Sequence, residues 1–108
     1  VNSREKGCRG ERQFAALLRE HGYEARRGQQ FSGSPDSPDV VCEDLAPFHI
    51  ETKLTEAFRL WDALAQARHD AGDKIPVVAH RRNRTPWVVV LQAEDFFRLL
   101  RAARLEEL

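Results

Sequence analysis

The sequence is short of several features, and each shortage narrows what the chain can do. No apolar run approaches the roughly 18 residues that a membrane-crossing helix needs, which excludes a helical membrane protein. Net charge is missing as well: 17 Lys/Arg balance 17 Asp/Glu, so there is no general cationic coat for nucleic acid. Only two cysteines occur, Cys8 and Cys42, and they form no Cys-x-x-Cys pair. Cys42 reads as a small buried strand residue, and a reducing compartment suits both. The four histidines are scattered without zinc-ligand spacing. No signal-peptide pattern opens the polar N-terminal stretch, so a cytoplasmic protein is the expectation. At 108 residues the chain is expected to be one domain, residues 1–108, with a modest core and no repeats.

Zero net charge conceals an uneven distribution. Residues 1–34 carry seven basic and four acidic side chains, residues 35–73 three and nine, and residues 74–108 seven and four. A basic frame around an acidic middle fits a metal site set in a phosphate-binding surface. Ordinary solvated faces would give the same counts.

Hydrophobic periodicity sets out the elements. Phe14, Leu17, Leu18 and His21 recur at helical spacing, predicting a first helix over 11–21 that Gly22 stops. Residues 23–27 read as a strand, and the Gly-, Ser-, Gln- and Pro-rich stretch 28–38 as a loop. Strands follow at 39–42 and 47–53, with His49, Glu51 and Lys53 on one face and Phe48 and Ile50 toward the core. A long helix is predicted over 55–71, with Ala57, Trp61, Leu64, Ala65 and Ala71 as its buried stripe and Gly72 at its end. Strands at 75–79 and 86–91 flank a basic turn at 81–84, and a last helix over 93–103 is led by Phe96, Phe97 and Leu100. The order α-β-β-β-α-β-β-α contains one strand–helix–strand crossover, so the expected fold class is α/β, a central mixed sheet flanked by helices.

One constellation carries chemistry. Asp39 opens an apolar strand, and Glu51 and Lys53 share a face of the next. Mg²⁺ takes oxygen ligands at about 2.1 Å, mostly carboxylates, waters and substrate phosphate. Asp39 and Glu51 are suited to share such an ion, with the Thr52 backbone carbonyl as a further ligand; Mn²⁺ is the alternative metal. The ion would acidify a bound water and neutralise phosphate charge, while Lys53 holds the scissile phosphate. A surface Glu51–Lys53 pair beside a loop-ending Asp39 would give the same pattern. Glu11 lies on the Phe14–Leu18 face of the first helix. There it needs a partner such as a metal-bound water, or else it sits in a first helical turn and favours the helix dipole.

Basic and polar side chains surround these residues: Arg4, Lys6, Arg9 and Arg12 at the N-terminus; Arg26, Arg27, Gln29 and Gln30 beside the Phe31–Ser34 loop; and Arg81, Arg82 and Arg84 in the turn. Arg9 and the free amides at the helix start would suit a phosphate. The turn extends a phosphate track only if it lies on the side of the active site. His49 reads as a structural histidine more than as a phosphate or water contact. Gln66 reaches the site in one orientation of its helix. Trp61 and Trp87 read as core or subunit-interface anchors.

Taken in order, Lys6-Gly7-x-Arg9-Gly10-Glu11-Arg12, Arg26-Arg27-Gly28-Gln29, Ser32-Gly33-Ser34, Ser37-Pro38-Asp39-Val40-Val41, His49-Ile50-Glu51-Thr52-Lys53 and Val77-Val78-Ala79-His80-Arg81-Arg82 resemble the PD-(D/E)xK nuclease superfamily. More narrowly they are similar to the archaeal-type Holliday junction resolvases and their phage relatives, over nearly the whole chain. The resemblance implies a restriction-endonuclease-like fold, with Glu11 as the helix carboxylate, Asp39 and Glu51 as metal ligands, and Lys53 as the catalytic lysine. It also implies a mobile serine-containing loop that enters the site, supplied by Ser34 or Ser32. Asp36, three residues ahead of Asp39 between two prolines, departs from the pattern; Asp39 is preferred because it abuts the apolar strand.

The activity so implied is a Mg²⁺-dependent endonuclease acting as a homodimer that nicks opposed strands of a four-way DNA junction, in the cytoplasm of a bacterial, archaeal or phage-infected cell. The rivals are a non-catalytic DNA-binding domain of the same fold and a nuclease for another DNA structure.

Overall fold

The computed structural model describes residues 3–28 and 38–108, the side chains of Ser3 and Arg4 excepted. Helix α1 spans Ser3–Glu20, β1 Ala25–Arg27, β2 Val40–Cys42, β3 Phe48–Leu54, α2 Leu60–Ala71, β4 Ile75–Arg81, β5 Val88–Val90 and α3 Ala93–Ala102. Short 3-10 turns occupy Glu43–Leu45 and Leu105–Glu107. The strands form one sheet in the order β1-β2-β3-β4-β5, antiparallel except for the parallel β3–β4 pair. The expected α/β order with a single crossover through α2 is therefore the observed one.

The sheet has two apolar sides. On one, Phe14 and Ala15 of α1 pack on Ala25, Val40, Cys42, Ile50, Val77 and Ala79. Trp87 closes that side, its ring 5.1 Å from Phe14, so of the two tryptophans it is the core anchor. On the other side Ala63, Leu64 and Ala67 of α2 cover Val78. Alternation along β3 follows from this: Ile50, Thr52 and Leu54 face α1, while His49, Glu51 and Lys53 face the other way. His49 is nonetheless buried, beneath the α2 layer.

The expectations for all three helices shift. Helix α1 begins eight residues before Glu11, running through Gly7 and Gly10. Gly10 has a reason to be there, since a Cβ at that position would come within 3.1 Å of the Leu54 Cβ; close helix–strand packing offsets the roughly 1 kcal/mol a helical glycine costs. The helix ends in a Schellman motif, with Tyr23 N–H donating to the Leu18 carbonyl and Gly22 at φ +90°.

Helix α2 starts five residues later than expected. The Thr55 N–H is taken by the Arg81 carbonyl, which prolongs the β3–β4 ladder, and Phe58 stacks on His80 with ring centroids 3.8 Å apart. Its buried stripe is also rotated: Ala63, Leu64, Ala67 and Ala71 face inward, whereas Ala57 and Ala65 are exposed and Trp61 is 79% exposed. Small side chains let the helix lie close to Val78, which no tryptophan stripe would allow. Helix α3 likewise leaves Phe96, Phe97 and Leu100 partly exposed and is held through Leu99. Among the described residues no helix is long and apolar enough to cross a membrane.

Candidate active site

The site is built outward from β3. Asp39 enters beside it because its N–H donates to the Ile50 carbonyl at 3.0 Å, and its Oδ2 accepts from the Thr52 N–H at 2.8 Å and lies 3.4 Å from Thr52 Oγ1. The far side of Asp39 is fixed as well, its carbonyl accepting from the Gly28 N–H at 2.9 Å. A Cβ on Gly28 would fall 2.0 Å from the Pro38 carbonyl oxygen, so glycine is required by close backbone approach there.

Glu51 directly follows Ile50, and its carboxyl shares a hydrogen bond with that of Asp39. Burial, and after it the negative charge of Glu51, pushes the Asp39 carboxyl from an ordinary 3.8 up to about 8. Two carboxyls crowded in this way hold a proton between them, and a divalent cation is the alternative counter-charge. The donor set therefore fits a hard divalent ion, since both side chains offer carboxylate oxygens.

Glu11 completes the acidic group, and its surroundings correct the first-turn account of it and add a partner on the protein. It stands two turns inside α1, too deep for the first-turn dipole account, and its partner is Arg27, whose Nε is 3.3 Å from Glu11 Oε2. Burial raises its pKa; Arg27 opposes the shift, and Glu51 adds to it. Arg27 also donates to Cys8 Sγ at 3.1 Å, so this guanidinium is already engaged on the protein. The early start of α1 places Arg9 well past the free amides of its first turn. Lys6 is half-exposed, and Arg9, Arg12 and Arg26 are exposed.

Lys53 is exposed on the face opposite α1 and lines a groove with Phe58, Asp62 and Gln66. The basic turn lies at the same end of the sheet: Thr55 follows Lys53 by two residues, its N–H is held by the Arg81 carbonyl, and the Asn83 N–H donates to Glu56 Oε1 at 3.0 Å. Arg81 is an internal strut, donating to the Thr85 carbonyl at 2.7 Å and to Gln13 Oε1 at 3.0 Å. Arg82 and Arg84 are exposed, Arg84 in the left-handed region at φ 65°. The Arg4 side chain, Gln29, Gln30, Ser32, Ser34 and Asp36 lie outside the described residues.

One side chain, Asp70, escaped the sequence reading, and His49, read there chiefly as structural, stands beside it. His49 Nε2 is 2.7 Å from Glu51 Oε1, and Asp70 of α2 brings a carboxylate oxygen close to both. Donor atoms of the three lie within 4.8 Å of one another, a group able to hold a divalent metal. Asp70 is fastened by Gln66 Nε2 at 2.9 Å and His69 Nδ1 at 3.1 Å, and these hydrogen bonds, Gln66 first, lower its pKa. The signal was an acidic residue three positions after Ala67 and seven after Ala63, in phase with the buried stripe.

A mixed sheet of this order, carrying an acidic cluster on its central strands, defines the restriction-endonuclease-like α/β fold of the PD-(D/E)xK nucleases. The family described as archaeal Holliday junction resolvase (hjc) matches residues 2–106. The chain belongs to that family. Among solved structures it is similar to Archaeoglobus fulgidus Hjc, a Holliday junction resolvase from an archaeal hyperthermophile, with 26% identity and a TM-score of 0.60 over 79% of this chain and 76% of the other. A comparison with curated protein sequences returns no match.

Proposed function

We propose that residues 1–108 form a single nuclease domain that resolves four-way DNA junctions by metal-dependent phosphodiester hydrolysis, as a homodimer. The convergence of Asp39, Glu51 and Glu11, with the Asp39 carboxyl raised to about 8, carries the proposal. A surface ion pair has no such crowding, and a domain that only binds DNA has no use for buried negative charge facing phosphate. Family membership and the activity named for the Archaeoglobus protein supply the junction.

Asp39 and Glu51, with the Thr52 carbonyl, would hold Mg²⁺ or Mn²⁺. When bound, the ion supplies charge neutralisation at the phosphate and acidifies water. The protein's own part is positional. Thr52 N–H and Gly28 N–H fix Asp39 from both sides, and Arg27 holds Glu11 in place. Lys53 offers its ammonium to a non-bridging oxygen of the scissile phosphate, oriented for in-line attack by water, leaving a 5′-phosphate and a 3′-hydroxyl. The half-exposed Lys6 and the exposed Arg9, Arg12, Arg26, Arg82 and Arg84 are cations available to the DNA backbone. The exposed Trp61, with Leu60, Val90 and Leu91 along the groove between α2 and the start of α3, is the surface we assign to the second subunit.

The deciding experiment incubates the protein with labelled four-way junction and matched linear duplex, in Mg²⁺ or EDTA. Paired metal-dependent nicks confined to the junction are expected. Binding without cutting would favour the non-catalytic domain, and equal cutting of duplex would remove the junction assignment while leaving the chemistry.

A further inference from the structure

Glu51 has neighbours on two sides, and only one side belongs to the hard-metal site. On one side it shares a hydrogen bond with Asp39; on the other its Oε1 meets the His49 ring nitrogen at 2.7 Å. His49 is 2% exposed and approaches from the same strand, and Asp70 approaches from α2.

We propose that His49, Glu51 and Asp70 form a second metal site, selective for a borderline transition ion such as Zn²⁺ or Co²⁺ and sharing Glu51 with the Asp39 site. An imidazole nitrogen beside two carboxylates is a poor match for Mg²⁺, which prefers an all-oxygen shell, and a good one for Zn²⁺ and Co²⁺. Two donors on one such ion, each about 2.1 Å from it, stand roughly 3–4 Å apart. The His49–Glu51 pair is already close to that spacing, and a side-chain rotation of Asp70, whose donor lies within 4.8 Å, supplies the rest. Asp70 has the support expected of a ligating carboxylate, since Gln66 and His69 hydrogen-bond to it. Occupancy takes the neutral His49 tautomer that carries its proton on Nδ1, leaving Nε2 to the metal, and replaces the His49–Glu51 hydrogen bond with two metal bonds.

A consequence resting on the nuclease reading is that Zn²⁺ would inhibit Mg²⁺-supported cleavage, because Glu51 cannot serve both ions with its full charge. The site itself is independent of that reading and is tested without DNA. Metal-free protein is titrated with Co²⁺ and followed by visible absorption and calorimetry, in the natural chain and in Asp70→Asn, His49→Gln and Asp39→Asn. Expected are a Co²⁺ spectrum with nitrogen coordination, displaced by Zn²⁺ but not by a large excess of Mg²⁺. Affinity should fall about tenfold or more in Asp70→Asn and His49→Gln and much less in Asp39→Asn. Asp70→Asn decides the matter if His49→Gln, a buried change, fails to fold. Absence of Co²⁺ binding, or binding lost in Asp39→Asn and unaffected in Asp70→Asn, overturns the proposal.

Discussion

Asp39 Oδ2 accepts a 2.8 Å hydrogen bond from the backbone N–H of Thr52, the residue between Glu51 and Lys53. One carboxylate of the site is thus tied to the strand that carries the other carboxylate and the lysine. Movement of the Asp39 carboxylate is therefore passed directly to the backbone of β3.

The first prediction concerns Glu51→Gln. The substitution keeps the shape and removes one negative charge near the DNA. Cleavage of a four-way junction should fall by about 10²–10³-fold, in the range seen when a transition-state charge partner is lost. Junction affinity should hold or improve. Parallel loss of both in a gel-shift and cleavage series would count against Glu51 as a metal ligand.

Acidity gives the second. Because the folded pKa of Asp39 is raised from 3.8 to about 8, the native state keeps a proton that the unfolded chain releases above about pH 4. The native state therefore binds more protons across that window, and metal-free stability should decline as pH rises from about 4 to 8. Glu11 is shifted in the same direction and adds to the slope. Millimolar Mg²⁺ should raise Tm most at the alkaline end. Thermal melts with and without metal would check this; a Tm that climbs with pH in EDTA would refute it.

Gly28→Ala supplies the third. The added Cβ collides with the Pro38 carbonyl, and the backbone there leads directly to Asp39. A destabilisation of about 1–3 kcal/mol is expected from the forced shift, with weakened Mg²⁺ binding alongside. Urea unfolding and metal calorimetry would read the two effects; a variant as stable as the natural chain would mean that the Gly28–Pro38 approach relaxes freely.

Arg27 and the basic turn separate structural from DNA-contacting cations. Arg27→Ala leaves Glu11 without its partner. With 41% of the Arg27 side chain exposed, the cost should be about 1 kcal/mol, below that of a fully buried pair, and it should shrink in a Glu11→Gln background. Arg81→Ala should destabilise the fold. Arg82→Ala and Arg84→Ala should leave stability unchanged and reduce the salt dependence of junction binding by about one counter-ion for each phosphate left unneutralised. Equal salt slopes in these variants and the natural chain would remove the turn from the DNA surface.

The element order was legible because β-strand alternation and the glycine stops at Gly22 and Gly72 are local properties. The start of α1 was not: the apolar periodicity begins only at Phe14, and the nearness of Leu54 explains Gly10 within the helix. The phase of α2 was hidden because alanines have little hydrophobic contrast beside Trp61, which the fold turns outward. In the site, Asp39 and Glu51 were found together because they open or occupy adjacent strands. Arg27 as the partner of Glu11, and Asp70 beside His49, join residues distant in the chain, and no local pattern announces such pairs.

Strand β3 has an antiparallel neighbour on one side and a parallel one on the other, and the two pairings close loops of different size. Strand β2 reaches β3 through residues 43–47, whereas β4 returns only after α2. The shorter closure costs less chain entropy, so the β2–β3 ribbon, with Asp39 and Glu51, is the part of the sheet able to assemble first. Two like charges then meet early in the folding chain, acting as a brake on its rate that protonation or a divalent cation releases.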